Sequence, residues 1–328
     1  MAGDSPNFQP YRSRRALVTG ATGFIGRQVA QALSSAGADL WLTARDERRV
    51  AAVSEVHQIR GQWVITDLAQ SGAFVALFRE IQPEIVFHLA AYGVDPSERD
   101  EQLAVAINNR LVGEIAEAAA LRAISDWPGL SLVHAGTTAE YGHVAGPLSE
   151  CSTEAPVNPY GRSKLAGTRA LTAALRRTGL RAVTARLFTV YGPGEHPSRL
   201  LPLLLEAAHS GGNLPLTGGE QKRDFTYVAD VTEGLLRLGA LASAAPEVVN
   251  LATGKLTSVR KFVESAAELL GLRASQLQFG KLPYAPDELQ QGPADNRLLR
   301  ESLDWVPGCS IPAGIQQTIE AHLKGTTA

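Results

Sequence analysis

Thr19-Gly20-Ala21-Thr22-Gly23-Phe24-Ile25-Gly26 is the stretch that decides the fold. It follows an apolar run at residues 16–19, read as a buried strand. It opens residues 23–36, whose apolar positions recur with helical periodicity up to a glycine stop at Gly37. A glycine-rich strand-to-helix turn permits a tight backbone and lets amide N–H groups approach a pyrophosphate at the helix N-terminus. The spacing is GxxGxxG, and its place between strand and helix implies a dinucleotide ligand.

Outward from that loop the same unit repeats. Strands are expected at residues 40–43, 63–65, 85–89, 130–135 and 182–187, and helices at 47–53, 73–81, 101–122 and 160–177. Near-continuous apolar strands alternating with helices predict a parallel sheet covered on both faces, an α/β doubly wound fold. Beyond residue 187, Tyr191-Gly192-Pro193-Gly194, His196-Pro197, Gly211-Gly212 and Gly218-Gly219 punctuate shorter elements. Helices at 231–241, 259–270, 296–303 and 311–323 and a strand at 248–251 predict a smaller, loop-rich C-terminal substrate lobe. The expected division is a dinucleotide-binding domain over residues 1–187, with later returns near 226–256, and a mainly substrate-binding part over 188–328. The ligand crevice lies between them.

Composition removes several classes. Among 328 residues, 31 Lys and Arg face 33 Asp and Glu, leaving no excess positive field to neutralise many phosphates, so nucleic acid is not the expected partner. Cys151 and Cys309 stand far apart and the seven histidines form no ligand pair, so no metal is expected, and His88 reads as a packed structural residue. The first fifteen residues hold no apolar targeting region and read as a loose leader. No run of about eighteen apolar residues occurs, so a cytoplasmic location without a membrane span is expected.

The glycine loop, Asp67-Leu68, His88-Leu89-Ala90-Ala91, Tyr141-Gly142 and Tyr160-Gly161-Arg162-Ser163-Lys164 occur in an order that resembles the extended short-chain dehydrogenase/reductase family over nearly the whole chain. The later part is similar to its nucleotide-sugar branch, through Arg186-Leu187-Phe188, Tyr191-Gly192-Pro193-Gly194 and Arg223-Asp224-Phe225-Thr226-Tyr227-Val228-Ala229-Asp230. The resemblance implies a Rossmann sheet, with Gly20, Thr22, Gly23, Phe24, Ile25 and Gly26 on the cofactor and Asp67 and Leu68 by its adenine. It also implies that Leu89, Ala90 and Ala91 line the cofactor crossing and that Tyr160 and Lys164 do chemistry. A nucleoside-diphosphate sugar as substrate, and a homodimer through a four-helix interface of residues 101–122 and 160–177, follow from the same likeness. Asn108 looks like the family's asparagine on the long fourth helix.

Physical chemistry agrees on the Tyr160 and Lys164 pair. Asn158-Pro159 is a helix start, so Tyr160 and Lys164 at i and i+4 share one face, and the ammonium can stabilise a phenolate and hold the nicotinamide ribose. A phenol with an ordinary pKa of about 10 needs such a neighbour to exchange protons near neutrality. The resemblance sets a third member, a hydroxyl, at the end of the fifth strand. Thr137, four residues before Tyr141, stands there, with Thr138 as the alternative.

Departures from the family narrow the reaction. Dehydratase and decarboxylase members carry an acid between the catalytic threonine and the following tyrosine. In Thr137-Thr138-Ala139-Glu140-Tyr141 the acid sits one place nearer the tyrosine, a step that on a strand turns the side chain to the other face. That leaves 4-keto reduction and 4-epimerisation. NAD-preferring members place an Asp at the end of the second strand. Here Ala44 falls at that position with Arg45 next, which suits a 2′-phosphate, while Asp46 is the alternative ribose ligand. NADP(H) is therefore favoured and NAD(H) is the alternative. The expected activity is NADPH-dependent reduction of a nucleotide-linked 4-keto-6-deoxyhexose with Tyr160 as the acid at C4. A NAD-dependent nucleotide-sugar 4-epimerase is the second reading, and a non-catalytic NADP-binding sensor the third. Arg223 matches the family arginine on the substrate diphosphate. Thr189 and Arg199 stand where many members have asparagines, and Tyr284 where epimerases have a second arginine. Thr138, Leu200, Leu214 and Leu216 complete the expected substrate-binding set.

Overall fold

The computed structural model describes residues 8–95, 97–122, 125–144, 146–285, 288 and 290–326. The first half alternates as expected: β1 (Arg15–Thr19), α1 (Phe24–Ser35), β2 (Asp39–Ala44), α2 (Glu47–His57), β3 (Gln62–Ile65), α3 (Ala73–Ile81) and β4 (Ile85–His88). There follow α4 (Glu101–Val105), a π-turn (Ala106–Arg110), α5 (Leu111–Ala120), β5 (Leu132–Thr137), α6 (Pro159–Thr178) and β6 (Ala182–Leu187). The second half is more broken. It runs β7 (Thr189–Tyr191), α7 (Leu200–Ser210), β8 (Leu214–Pro215), β9 (Lys222–Arg223), β10 (Phe225–Tyr227), α8 (Val228–Gly239) and β11 (Val248–Leu251). It ends with β12 (Thr257–Ser258), α9 (Val259–Leu270), β13 (Leu277–Gln278), α10 (Arg297–Leu303) and α11 (Ile311–Thr326).

Seven strands form one parallel sheet in the order β11-β6-β5-β4-β1-β2-β3, so the fold is the expected α/β doubly wound sheet. Burial on both faces explains the unbroken apolar strands: Ala16, Leu17 and Val18 of β1 and Ile85, Val86 and Phe87 of β4 have no exposed surface. One face is covered by Val29 and Leu33 of α1, Leu235 of α8 and Leu299 of α10. The other is covered by Phe74 and Phe78 of α3, Ile115 of α5 and Leu171 of α6. A third core joins Tyr191, Leu204, Phe225, Phe262 and Ile315, with the Phe225 and Phe262 rings stacked at 4.2 Å. The chain runs outward from β1 to β3 and then returns to β4 on the other side of β1. That reversal opens a crevice beyond the strands' C-terminal ends. No described helix is long and apolar enough to cross a membrane.

Two expectations are corrected. The helix expected over residues 101–122 ends at Ala120 and is interrupted by the π-turn, where Asn108 is fully buried. Asn108 bridges the Tyr92 N–H (3.0 Å), the Tyr92 carbonyl (2.7 Å) and the Ser163 hydroxyl (2.9 Å). Gly167 permits this close packing, since a Cβ there would lie 2.0 Å from the Asn108 carbonyl oxygen. The buried amide finds its partners at this π-turn, a rare feature that recurs at functional sites. The leader is also not loose over its described part. Residues 9–11 form a short 3₁₀ turn, and Tyr11, with no exposed surface, donates to the Leu236 carbonyl at 2.5 Å. Its ring lies 5.4 Å from Trp127 and 6.0 Å from Phe87. Because a large aromatic is removed from a closed site, Tyr11→Ala is expected to cost about 3 to 5 kcal/mol. Urea unfolding reads this as a lower midpoint, and an unchanged midpoint would show that the segment adds nothing to the core.

Candidate active site

The crevice holds about 640 Å³ and is bordered by Gly20, Thr22, Gly23, Leu68, Leu89, Ala90 and Ala91. Gly20 has a φ of +69°, and a Cβ on it would lie 2.7 Å from the Ala90 amide nitrogen. Gly26 lets α1 sit directly on the loop, for its Cβ would fall 2.0 Å from the Gly20 carbonyl oxygen. No side chain caps α1, so its first-turn amides are available to an anion. Phe24 and Ile25 direct their side chains into the third core, not the crevice. Asp67 does not border it either; its carboxylate accepts from the Ala69 N–H at 3.0 Å. On the β2 side stand Arg45, Asp46 and Arg49, and on the β4 side Asp95, Glu98, His196 and Arg199. Arg49 escaped the sequence reading although it lies four residues from Arg45 in the same charged run.

Thr137 and Tyr160 are brought together. Asn158 caps α6 by accepting from the Gly161 N–H at 2.8 Å, with Pro159 in the first turn, and this sets Tyr160 at the helix entrance. Gly161 rests on the turn after β5, where a Cβ would come within 2.5 Å of the Ala139 carbonyl oxygen. Burial pushes the Tyr160 phenol above its ordinary range, the Glu140 charge adds to this, and the neighbouring Thr137 hydroxyl pulls it back. Lys164, 2% exposed, is pulled down to about 8 by burial against the opposing charge of Glu140. Its ammonium has no acceptor among the described residues. Below it, the His88 and His134 rings stack at 5.2 Å, both fully buried. Burial first, and the Lys164 charge second, hold His88 down to about 3 and His134 well below its ordinary value, so both imidazoles are neutral.

The structure gives Glu140 a place that the sequence did not reveal. Its carboxylate accepts from the Thr137 N–H at 2.9 Å and from Arg186 Nε at 2.8 Å, and the Arg186 side chain also pairs with Glu154. The Glu140 and Arg186 side chains are 0% exposed. Only the three-dimensional fold brings together residues 46 positions apart.

In the C-terminal part, Arg223 is ion-paired with Glu288, and burial lowers its pKa before that carboxylate raises it again. The Tyr284 hydroxyl donates to Glu220, while Pro286 and Asp287 of the same segment lie outside the described residues. Arg199 precedes α7 and meets Glu195 at 3.4 Å. Thr189 is partly buried on β7, where its N–H donates to the Asp224 carbonyl at 3.0 Å. The Thr138 hydroxyl is buried without a partner among the described residues, and its carbonyl accepts from Gln291 at 3.0 Å. Leu214 and Leu216 are buried in the third core and Leu200 packs against it, so these three serve packing there.

A glycine loop on a doubly wound sheet, a crevice at its switch point and, behind the residues that border it, the Thr137 hydroxyl at the Tyr160 phenol with Lys164 one turn further along the same helix define a dinucleotide-binding enzyme. Residues 16–252 match the model of the NAD dependent epimerase/dehydratase family, and the chain belongs to that family. It is 30% identical to dTDP-6-deoxy-L-talose 4-dehydrogenase (NAD(P)(+)) of Kitasatospora kifunensis, over 96% of this chain and 97% of that one. It is 28% identical to UDP-glucose 4-epimerase of Mycolicibacterium smegmatis, over 93% and 97%. The structure of MoeE5 in complex with UDP-glucose and NAD is similar with a TM-score of 0.80 at 29% identity, covering 95% of this chain and 99% of that one.

Gly26→Ala drives a methyl group into the Gly20 carbonyl, so it is expected to weaken nicotinamide dinucleotide binding by about tenfold or more. Titration of nicotinamide fluorescence reads this, and an unchanged dissociation constant would show that the loop does not carry the cofactor.

Proposed function

We propose that this protein is an NADPH-dependent reductase of a nucleotide-linked 4-keto-6-deoxyhexose. The observation that carries the proposal is the charge at the end of β2. Ala44 ends the strand, and the Asp46 carboxylate is engaged as the N-cap of α2, accepting from the Arg48 N–H at 2.9 Å. Arg45 and Arg49 border the crevice and form no ion pair among the described residues. Two guanidinium groups beside a carboxylate that is already engaged as a helix cap suit a 2′-phosphate, where each charge-assisted hydrogen bond is worth about 1.5 to 3 kcal/mol. The relative named dTDP-6-deoxy-L-talose 4-dehydrogenase (NAD(P)(+)) supports the position of the redox step, and its name admits NADP beside NAD.

The residues present fit a nicotinamide dinucleotide. Gly20 and Ala90 form a cradle that a single Cβ would fill, and the Lys164 ammonium lacks an acceptor that a ribose hydroxyl would supply. When bound, the nicotinamide supplies the hydride. Tyr160 gives its proton to the oxygen developing at C4, and the Thr137 hydroxyl hydrogen-bonds the same oxygen. Lys164 places a positive charge near the phenolate left behind. Arg223 serves the substrate diphosphate by exchanging the Glu288 carboxylate for phosphate oxygens, one anionic partner for another. Glu140, engaged by Arg186 and the Thr137 N–H, is not available as the acid of an elimination.

A nucleotide-sugar 4-epimerase is the second reading, favoured by the Mycolicibacterium smegmatis relative and by the likeness to MoeE5 with NAD. On protein stripped of nucleotide, NADPH is expected to bind at least about tenfold more tightly than NADH, about 1.4 kcal/mol, and Arg45→Ala to erase the difference. A preference for NADH, or copurified NAD that resists removal, makes the epimerase the better account. Tyr160→Phe is expected to lower turnover by about a hundredfold or more while leaving the NADPH dissociation constant in place. Unchanged turnover would remove Tyr160 from the chemistry.

A further inference from the structure

Beneath Thr137 lies a charge cluster to which the chemistry above gives no task. One Glu140 oxygen holds the Thr137 N–H and the other holds Arg186 Nε, while Glu154 accepts from Arg186 Nη2. The guanidinium lies 4.4 Å over the Tyr141 ring, whose hydroxyl donates to Asn250 at 2.8 Å. Gly136 makes room for the arrangement, because a Cβ there would stand 2.8 Å from Glu140 Oε1 and 2.7 Å from the Thr184 methyl. Glu154 also pairs with Arg169 at 3.1 Å, but that arginine is 65% exposed and screened by water, so Glu140 and Arg186 are the fully buried charges of the cluster. Lys164, a buried cation with no acceptor of its own, sits on the helix whose first turn abuts this same turn. Burying a lone ammonium is costly unless an opposite charge faces it.

We propose that Glu140 is a positioning residue with two effects: it clamps the backbone that presents the Thr137 hydroxyl, and its charge keeps Lys164 an ammonium inside the protein. The inference rests on the placement of Lys164 against the cofactor proposed above. The groups acting on Lys164 are Glu140 from the turn after β5 and the neutral His88 and His134 from the sheet. Those acting on Tyr160 are Glu140, Thr137, Arg199 and Glu98. Burial pulls Lys164 downward and Glu140 pulls it upward, so removing the Glu140 charge lowers the pH at which the ammonium is lost.

The test uses the full-length protein and NADPH as the probe, with the dissociation constant measured from about pH 6 to about pH 10. The protonated lysine is the form that holds the ribose. Wild-type affinity is therefore expected to be full below about 8 and to fall as the pH rises through it, and Lys164→Met is expected to abolish that transition. Glu140→Gln keeps an acceptor for the Thr137 N–H and leaves Arg186 paired with Glu154, and it is expected to move the transition down by about half a unit or more. Glu140→Asp keeps the charge on a shorter arm and retains the wild-type midpoint. It serves as the second variant should the glutamine protein not fold, and a midpoint shifted in Glu140→Asp overturns the assignment to charge. A wild-type transition near 8 that Lys164→Met removes but Glu140→Gln leaves in place overturns the role of Glu140 alone. A wild-type profile flat through that range overturns the placement of Lys164 and this inference with it.

Discussion

A guanidinium with no exposed surface, Arg186, sits at the centre of this molecule, and much of the site depends on how its charge is met. Isolated in a protein interior it would be strongly destabilising; Glu140 and Glu154 both reach it, and Arg169 takes the other Glu154 oxygen. Meeting that demand draws together the end of β5, the strand β6 and the segment that leads into α6. Those are the same pieces that carry Thr137, Tyr160 and Lys164. The geometry of the candidate catalytic cluster is therefore tied to the neutralising of one buried arginine, and in the inference drawn above the Glu140 charge also supports the buried lysine.

The crevice follows from a second constraint, close backbone approach. Gly20 against Ala90, Gly26 against Gly20 and Gly161 against Ala139 each leave no room for a methyl group. The first two bring α1 and the end of β4 to either side of one loop, so the helix's uncapped amides face the gap. Sheet order supplies the gap itself, since β2 and β4 flank β1 and their following segments diverge.

Much of the sheet was legible because its strands are buried on both faces and therefore read as apolar runs, as in β1 and β4. The helices of the first half were legible for the complementary reason, a one-sided apolar period closed by caps such as Asn158. What escaped shares a different character. The two-residue strands β8, β9, β12 and β13 are too short to show any period. The π-turn depends on Asn108 finding Tyr92 and Ser163, and the burial of Tyr11 depends on the Leu236 carbonyl, 225 residues away. The site divides in the same way. Residues set by a local motif, the glycine loop and the Tyr160 and Lys164 helix face, were readable in advance, whereas Glu140 with Arg186 and Arg223 with Glu288 are pairs that only folding joins.

Overall likeness does not separate the two reactions, because a 4-dehydrogenase and a 4-epimerase stand at 30% and 28% identity over almost the whole chain. Both reactions need the same hydroxyl, phenol and ammonium, so the shared cluster is silent on the choice. The difference lies in what happens to the cofactor afterwards. An epimerase returns its hydride to the sugar and can keep one dinucleotide indefinitely, whereas a net reductase must release the spent cofactor and admit a fresh one at every turnover. Selection between the two cellular pools then has to be made repeatedly, at the part of the crevice that an incoming dinucleotide meets. Arg45 and Arg49 lie exposed at that rim, with the neighbouring Asp46 turned back to cap its own helix. Under the function proposed above, a phosphate-bearing cofactor is the form such a rim selects, and that proposal ties the charge at the end of β2 to the direction of the chemistry.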